Sequence, residues 1–246
     1  MTPTAVQKTR HRDACTDRET RALDGLVQQR AMQVDVLAEF LGTGRNHAYE
    51  LAKALHQAGL VHPLLRVGAG PKWIVPTRRA VTGYFGYSLP DWKPSRLWSA
   101  RGRAIARTRI ALRTTTFHGW ESERELRYRP HTDTAQRGAY YPYDGRTMRI
   151  GHDGGPCAVK VDITHYGLDS SRLAHRIYHA AERGAHDGCT RLLYVYGGAL
   201  TRDTVYRAAA TVASDLEFEV IGLDDLLHDR TPSDGKTPAH RVVGGR

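Results

Sequence analysis

The chain has little cysteine: three residues in 246, Cys15, Cys157 and Cys189, odd in number, far apart and in no C-x-x-C pair. That arrangement argues against a disulfide framework and a zinc knuckle, and a reducing cytosol is the expected compartment. Long apolar runs are missing as well, none approaching the roughly 18 residues that a membrane span requires. The N-terminal MTPTAVQKTRHRDACT has no apolar stretch of the kind that secretion signals carry. A soluble protein without a membrane partner is expected. No G-x-x-x-x-G-K-[ST] loop arises from the glycines at 151–155 and 197–198, which argues against a nucleoside triphosphate site. His175 and His179 share a helix face without an HExxH pattern or a clear third ligand, and no RNP-like aromatic motif favours RNA.

What is abundant is positive charge, +10 overall, and its placement is uneven. Residues 1–92 carry 12 Lys+Arg against 8 Asp+Glu, residues 93–150 carry 13 against 5, and residues 151–246 carry 11 against 13. All but one of the 13 central cations are arginine, whose planar fork pairs with phosphate in bidentate fashion, so nucleic acid is the natural partner. A solvated basic helix is the plainer alternative.

Thr16 and Glu19 have the S/T-x-x-E form of a capping box, and Leu23, Leu26 and Val27 then recur as one face of a helix over 17–30. A second helix is predicted over 33–41, burying Val36, Leu37 and Phe40 and stopping at Gly42. Thr43 is the expected cap of a third, with Ala48, Leu51, Ala52 and Leu55 as its stripe and Gly59 at its end. Two strands, Leu60–Val67 and Trp73–Pro76, are predicted to form a hairpin with a basic tip carrying Lys72. This order predicts a winged helix-turn-helix over residues 1–85, with Arg45, Asn46, Tyr49 and Lys53 on the outward face of the third helix as DNA readers. A protein-contact role for the same small domain is the alternative.

The proline-bearing segment GYSLPDWKPS places a boundary between Tyr84 and Ser95, and residues 86–116 read as a linker and an arginine-rich helix over about 96–114. Trp98, Ile105 and Leu112 repeat at seven-residue spacing on that helix, while Arg96, Arg103 and Arg107 form a second face suited to phosphate. From 117 to 228 the expected order is a short helix at 120–126, strands near 126–129, 139–143, 146–150 and 157–163, a helix at 170–184, a strand at 191–197, a helix at 201–215 and a strand at 216–223. That is an α/β sandwich with a mixed sheet. Residues 229–246 read as a disordered tail.

The same order is the core order of the PD-(D/E)xK nuclease superfamily. Three short motifs, W-x-S-E at 120–123, Pro142-Tyr-Asp144-Gly145 and Ala158-Val-Lys-Val-Asp-Ile-Thr164, resemble motifs of the replication-relaxation family of plasmid and mobile-element proteins of Gram-positive bacteria. The resemblance spans about residues 14–228. It implies a winged helix joined to a nuclease-like domain, with double-stranded DNA as partner. Glu123, Asp144, Lys160 and Asp162 are then the candidate catalytic residues, with Asp144 and Asp162 as ligands of Mg²⁺ or Mn²⁺.

One departure tempers that expectation. The superfamily places a carboxylate first and a lysine two positions later, whereas here the order is Lys160-x-Asp162, and Tyr166 stands where a later family lysine would be. Slow DNA nicking at most is therefore expected. The alternative is a non-enzymatic DNA-binding or transcription-regulating protein that uses a spent nuclease fold for homodimerisation or for a protein partner. Tyr140, Tyr141 and Tyr143 beside Asp144 also make a tyrosine nucleophile conceivable, against the simpler roles of core or base-stacking surface.

Overall fold

The computed structural model describes residues 16–116, 118–128, 141–148, 155–164, 169–228 and, for the backbone, 241–242. Thr16 opens helix α1 (Asp17–Gln29) with a complete capping box: its hydroxyl accepts from the Glu19 N–H while the Glu19 carboxylate accepts from the Thr16 N–H at 2.8 Å. Helix α2 (Val34–Leu41) ends at Gly42, whose left-handed backbone (φ 66°) closes the last turn with a bond to Ala38. In helix α3 (Arg45–Gln57) the predicted stripe Ala48, Leu51, Ala52 and Leu55 is buried. The cap differs from expectation. Gly44 is the N-cap and no side chain caps the helix, because the turn after Gly42 holds Thr43 outside it and passes the cap position to the next residue.

The expected hairpin is reduced. Strand β1 (Met32–Gln33) pairs antiparallel with strand β2 (Trp73–Ile74), and residues 60–67 touch the returning strand only through the bridges Val61 to Pro76 and Leu65 to Trp73. Pro63 within the predicted strand lacks an N–H to give the ladder, which fits the interruption. A helix absent from the sequence expectation follows, α4 (Arg78–Phe85), capped by Thr77 and closed by Gly86 at φ 77°. Its neighbour in space is α1, through a 2.8 Å bond from Gln28 Nε2 to the Tyr84 hydroxyl.

Helix α5 (Arg96–Ala111) stops three residues short of expectation. The chain divides into two compact units: the first runs to Ala106 and takes in Thr115–Phe117, the second comprises Arg107–Thr114 and His118 onward. The first unit thus reaches past the boundary read at the two prolines. Trp92 and Trp98 are the physical reason. Trp98 lies 5.3 Å from Trp73 and 4.5 Å from Trp92, ring to ring, and both pack on the apolar cluster of Ala31, Trp73 and Val75.

The second unit is mixed α/β. Strand β3 (Glu121–Ser122), helix α6 (Glu123–Arg127), and strands β4 (Gly145–Thr147) and β5 (Cys157–Thr164) come first, then helix α7 (Ser170–His186) and strand β6 (Arg191–Gly198). Helix α8 (Arg202–Ala210), strand β7 (Glu217–Gly222), helix α9 (Leu223–His228) and strand β8 (Arg241–Val242) complete it. The sheet order is β3-β4-β5-β6-β7-β8. Strand β5 is parallel to β6, and β6 to β7; the outer pairs are antiparallel.

Central β5 is buried on both faces, as a near-continuous apolar run in a parallel core requires. Ala158, Leu192, Tyr194, Phe218 and Val220 face Leu173, Ile177 and Ala180 of α7 and Val205 and Ala208 of α8. Each of the leucine, isoleucine, valine and phenylalanine side chains contributes about 1.5–3 kcal/mol on burial.

Three expectations are corrected. The strand read at 126–129 is helix through Arg127, since Ser122 and Glu125 make a second capping box. Residues 142–144 form a bend and Gly145 already belongs to β4, so the P-D-G turn is a strand entry. The tail read as disordered contributes β8, paired with Phe218 and Glu219. Residues 139–140 and 149–150 of the predicted strands, with Tyr140, Tyr166 and Cys15, lie outside the described residues, whereas 141–143 are described and are not strand. No described helix is long and apolar enough to cross a membrane.

Candidate nucleic-acid interface and carboxylate cluster

The buried stripe of α3 settles which side chains face outward. Arg45, Asn46 and Lys53 are exposed and Tyr49 is half-buried, with Glu50 also exposed on the same helix. Lys72 is half-buried; its carbonyl accepts from Val34 N–H at 3.0 Å, tying the hairpin to the start of α2.

The arginines of α5 do not form one uniform phosphate face. Arg103 holds both oxygens of Asp35, at 3.0 and 2.7 Å. Burial alone would raise the Asp35 carboxyl, but the Arg103 guanidinium outweighs it and holds the group below its ordinary value. Arg107 is half-buried and engaged within the protein. Arg109 is buried, donating to the Thr114 carbonyl at 3.0 Å with its guanidinium 5.9 Å from the Trp120 ring. Of the three arginines predicted to meet phosphate, Arg96 alone is exposed.

In the second unit the register brings three of the four predicted catalytic residues onto one stretch of sheet. Gly145 pairs with Val159, so the next step of the ladder puts Asp144 across from Lys160, two residues before Asp162. The Asp144 N–H donates to the Val159 carbonyl at 2.8 Å, and its Oδ2 accepts from the Val161 N–H at 2.8 Å. The carboxylate thereby stands in for a ladder carbonyl where β4 begins. Asp162 Oδ1 accepts from Arg176 on α7 at 2.9 Å and Oδ2 from the Tyr194 hydroxyl at 2.7 Å. Lys160 is only 2 % exposed and is engaged within the protein.

Burial, the Asp162 carboxylate and, more weakly, the Asp144 carboxylate push the Tyr194 hydroxyl far above its ordinary range, so it remains a neutral donor. Glu123 is turned elsewhere: its carboxylate pairs with Arg127 one helical turn on, while its N–H donates to the Asp144 carbonyl.

A divalent ion held by this set needs free carboxylate lone pairs converging on one point. Asp162 offers two oxygens that each already accept a bond, Asp144 is committed to the β5 backbone, and Glu123 to Arg127. Among the described residues no group of three or more His, Cys, Asp or Glu is placed to hold a metal.

The tyrosines next to Asp144 have a structural task. The Tyr141 and Tyr143 hydroxyls both donate to Asp187 Oδ2, Tyr143 at 2.6 Å, and Arg183 Nε sits 3.2 Å from Asp187 Oδ1. Burial and the Asp187 carboxylate push Tyr141 up to about 12 and Tyr143 higher, the opposite of what a nucleophile requires. His175 and His179 contact each other at 3.3 Å on the exposed side of α7.

Arg176, Tyr194 and Asp187 escaped the sequence reading because their partners are 14, 32 and 44 residues away. The second capping box was legible, since Ser122-Glu-Arg-Glu125 repeats the pattern of Thr16 and Glu19. Compared with protein-family models, curated proteins and solved structures, the chain finds no match.

Proposed function

We propose that the chain is a duplex-DNA-binding protein whose first unit works as a winged helix, with α3 in the major groove. The observation that carries this reading is the outward face of α3: Arg45, Asn46 and Lys53 are exposed and engage no other described residue, while the opposite face is core. Arginine suits guanine, an amide suits adenine, and lysine suits phosphate. The resemblance to the replication-relaxation family supports a role in replication, relaxation or transfer of a plasmid or mobile element.

For the second unit, the hydrogen bonds at Asp144 and Asp162 favour the non-enzymatic reading. The nuclease-like sheet is then a scaffold, open to homodimerisation or a protein partner, and its carboxylates hold the fold. Metal-dependent nicking is the competing reading.

Band-shift titrations and a nicking assay test the two levels separately. Arg45→Ala or Asn46→Ala should cost about 1–3 kcal/mol on a preferred duplex and relax selectivity, whereas Lys53→Ala should weaken all sequences alike. No binding by the full chain at low salt would overturn DNA recognition. Supercoiled plasmid with Mn²⁺ should be nicked slowly or not at all. Brisk cleavage lost in both Asp144→Ala and Asp162→Ala would instead make the second unit an enzyme.

A further inference from the structure

A cleft of about 560 Å³ lies in the first unit, lined by Arg66, Val67, Gly68 and Ala69 on one side and Arg96 and Ser99 on the other. The two walls come from distant sequence, the loop of the reduced hairpin and the first turn of α5. They are tied to one core: Val67 on the loop side and Trp98 on the helix side both pack on the cluster of Ala31, Trp73 and Val75. The separation of the walls is therefore set by packing before any ligand arrives, which lowers the ordering cost of binding.

The charge of the cleft is of one sign. Arg66 and Arg96 are exposed, no carboxylate lines the cleft, and neither guanidinium has a hydrogen-bond or ion-pair partner among the described residues. This sets Arg96 apart from Arg103, Arg107 and Arg109, which the protein itself engages. The Ser99 hydroxyl is committed to the Arg96 carbonyl at 2.7 Å, so the two arginine forks remain as the recognition groups. Two unopposed forks across one cleft suit a tetrahedral dianion or a phosphodiester. The cleft is larger than a lone phosphate ion, and its small residues, Gly68 and Ala69, let a strand pass close to the backbone.

We propose that Arg66 and Arg96 clamp one backbone phosphate of the DNA duplex that α3 reads, outside the bases that α3 contacts. The inference rests on the duplex-binding reading and adds to it a phosphate site shared by two guanidiniums.

The experiment is the salt dependence of duplex affinity for the full chain as wild type, Arg66→Gln, Arg96→Gln and the double variant. Thermal melting by circular dichroism should be the same for all four, since both side chains are exposed. Each phosphate contact contributes about 0.9 to the slope of log affinity against log salt. A shared phosphate predicts that the double variant flattens the slope by about 0.9, and each single variant by part of it. A drop of about 1.8 in the double variant, as the sum of two full losses, would overturn the clamp in favour of two separate contacts. An unchanged slope with normal wild-type binding would overturn it while leaving DNA recognition standing. Absence of wild-type binding would remove both.

Discussion

Asp187 closes α7 and carries a connected polar cluster of the second unit, so Asp187→Ala is a direct probe of what holds the sheet to that helix. The carboxylate accepts from two buried phenols, Tyr141 and Tyr143, and opposes Arg183. The bond from Arg146 to the Asp187 carbonyl, 2.8 Å, belongs to the backbone and survives the substitution. Removal of the side chain takes the shared acceptor from two buried hydroxyls, at about 1–3 kcal/mol each, although Tyr141 keeps the bond it accepts from Arg183 at 3.2 Å. Tyr143 is wholly buried, whereas Tyr141 keeps a small exposed edge that water can reach. The expected loss is about 3–4 kcal/mol, which raises the opening equilibrium roughly 100- to 1000-fold.

Hydrogen exchange read by mass spectrometry on peptides covering β4 and β5 measures that opening locally. Asp187→Asn retains an acceptor oxygen and should lose less. A change under about tenfold for the alanine variant would refute the argument, by showing that the phenols find other partners at little cost.

Acid should act through the same group. Burial raises the Asp187 carboxyl, but the phenols and Arg183 outweigh it and hold the group below its ordinary 3.8. The folded state therefore takes up its proton at lower pH than the unfolded chain. The contribution is complete above that ordinary value and is lost as pH falls through the folded one. Wild type should lose protection more steeply than Asp187→Asn in that range, because the amide does not titrate. Parallel acid profiles would contradict the assignment.

Two further outcomes follow from residues with a defined place. Arg103→Gln breaks a partly exposed bidentate pair with Asp35 and should cost the first unit about 1 kcal/mol in thermal melts. It should leave the DNA salt slope unchanged, and a slope flattened by about 0.9 would return Arg103 to the phosphate face. Gly145→Ala drives a methyl into the indole of buried Trp120, closest to Cζ2, and should destabilise the second unit by about 1–3 kcal/mol or more. Unchanged exchange protection in β4 would mean that the indole shifts freely.

Local chemistry in the sequence was sufficient for the elements whose signals are local. The capping box at Thr16, the stops at Gly42 and Gly59 and the stripes Ala48-Leu51-Ala52-Leu55 and Leu173-Ile177-Ala180-Ala181 each encode a face or an end within a few residues. Those helices stand where the pattern puts them. The parallel core was legible for a related reason, since RLLYVYG is apolar on both faces and flanked by helical periodicity.

Tertiary structure decided what depends on a distant partner. Tryptophans 92 and 98 carry their segment into the first unit, although its prolines read as a boundary. Arg96 and Arg103 are the same residue type on one helix, yet one is exposed and the other is held by Asp35, 68 residues back in sequence. Lys160 and Asp162 could be placed on one strand face from alternation alone, whereas the approach of Asp144 depends on the pairing of β4 with β5. Whether their charges were available depended on Val161 N–H, Tyr194 and Arg176, groups that only the sheet register and the packing of α7 bring within hydrogen-bond reach.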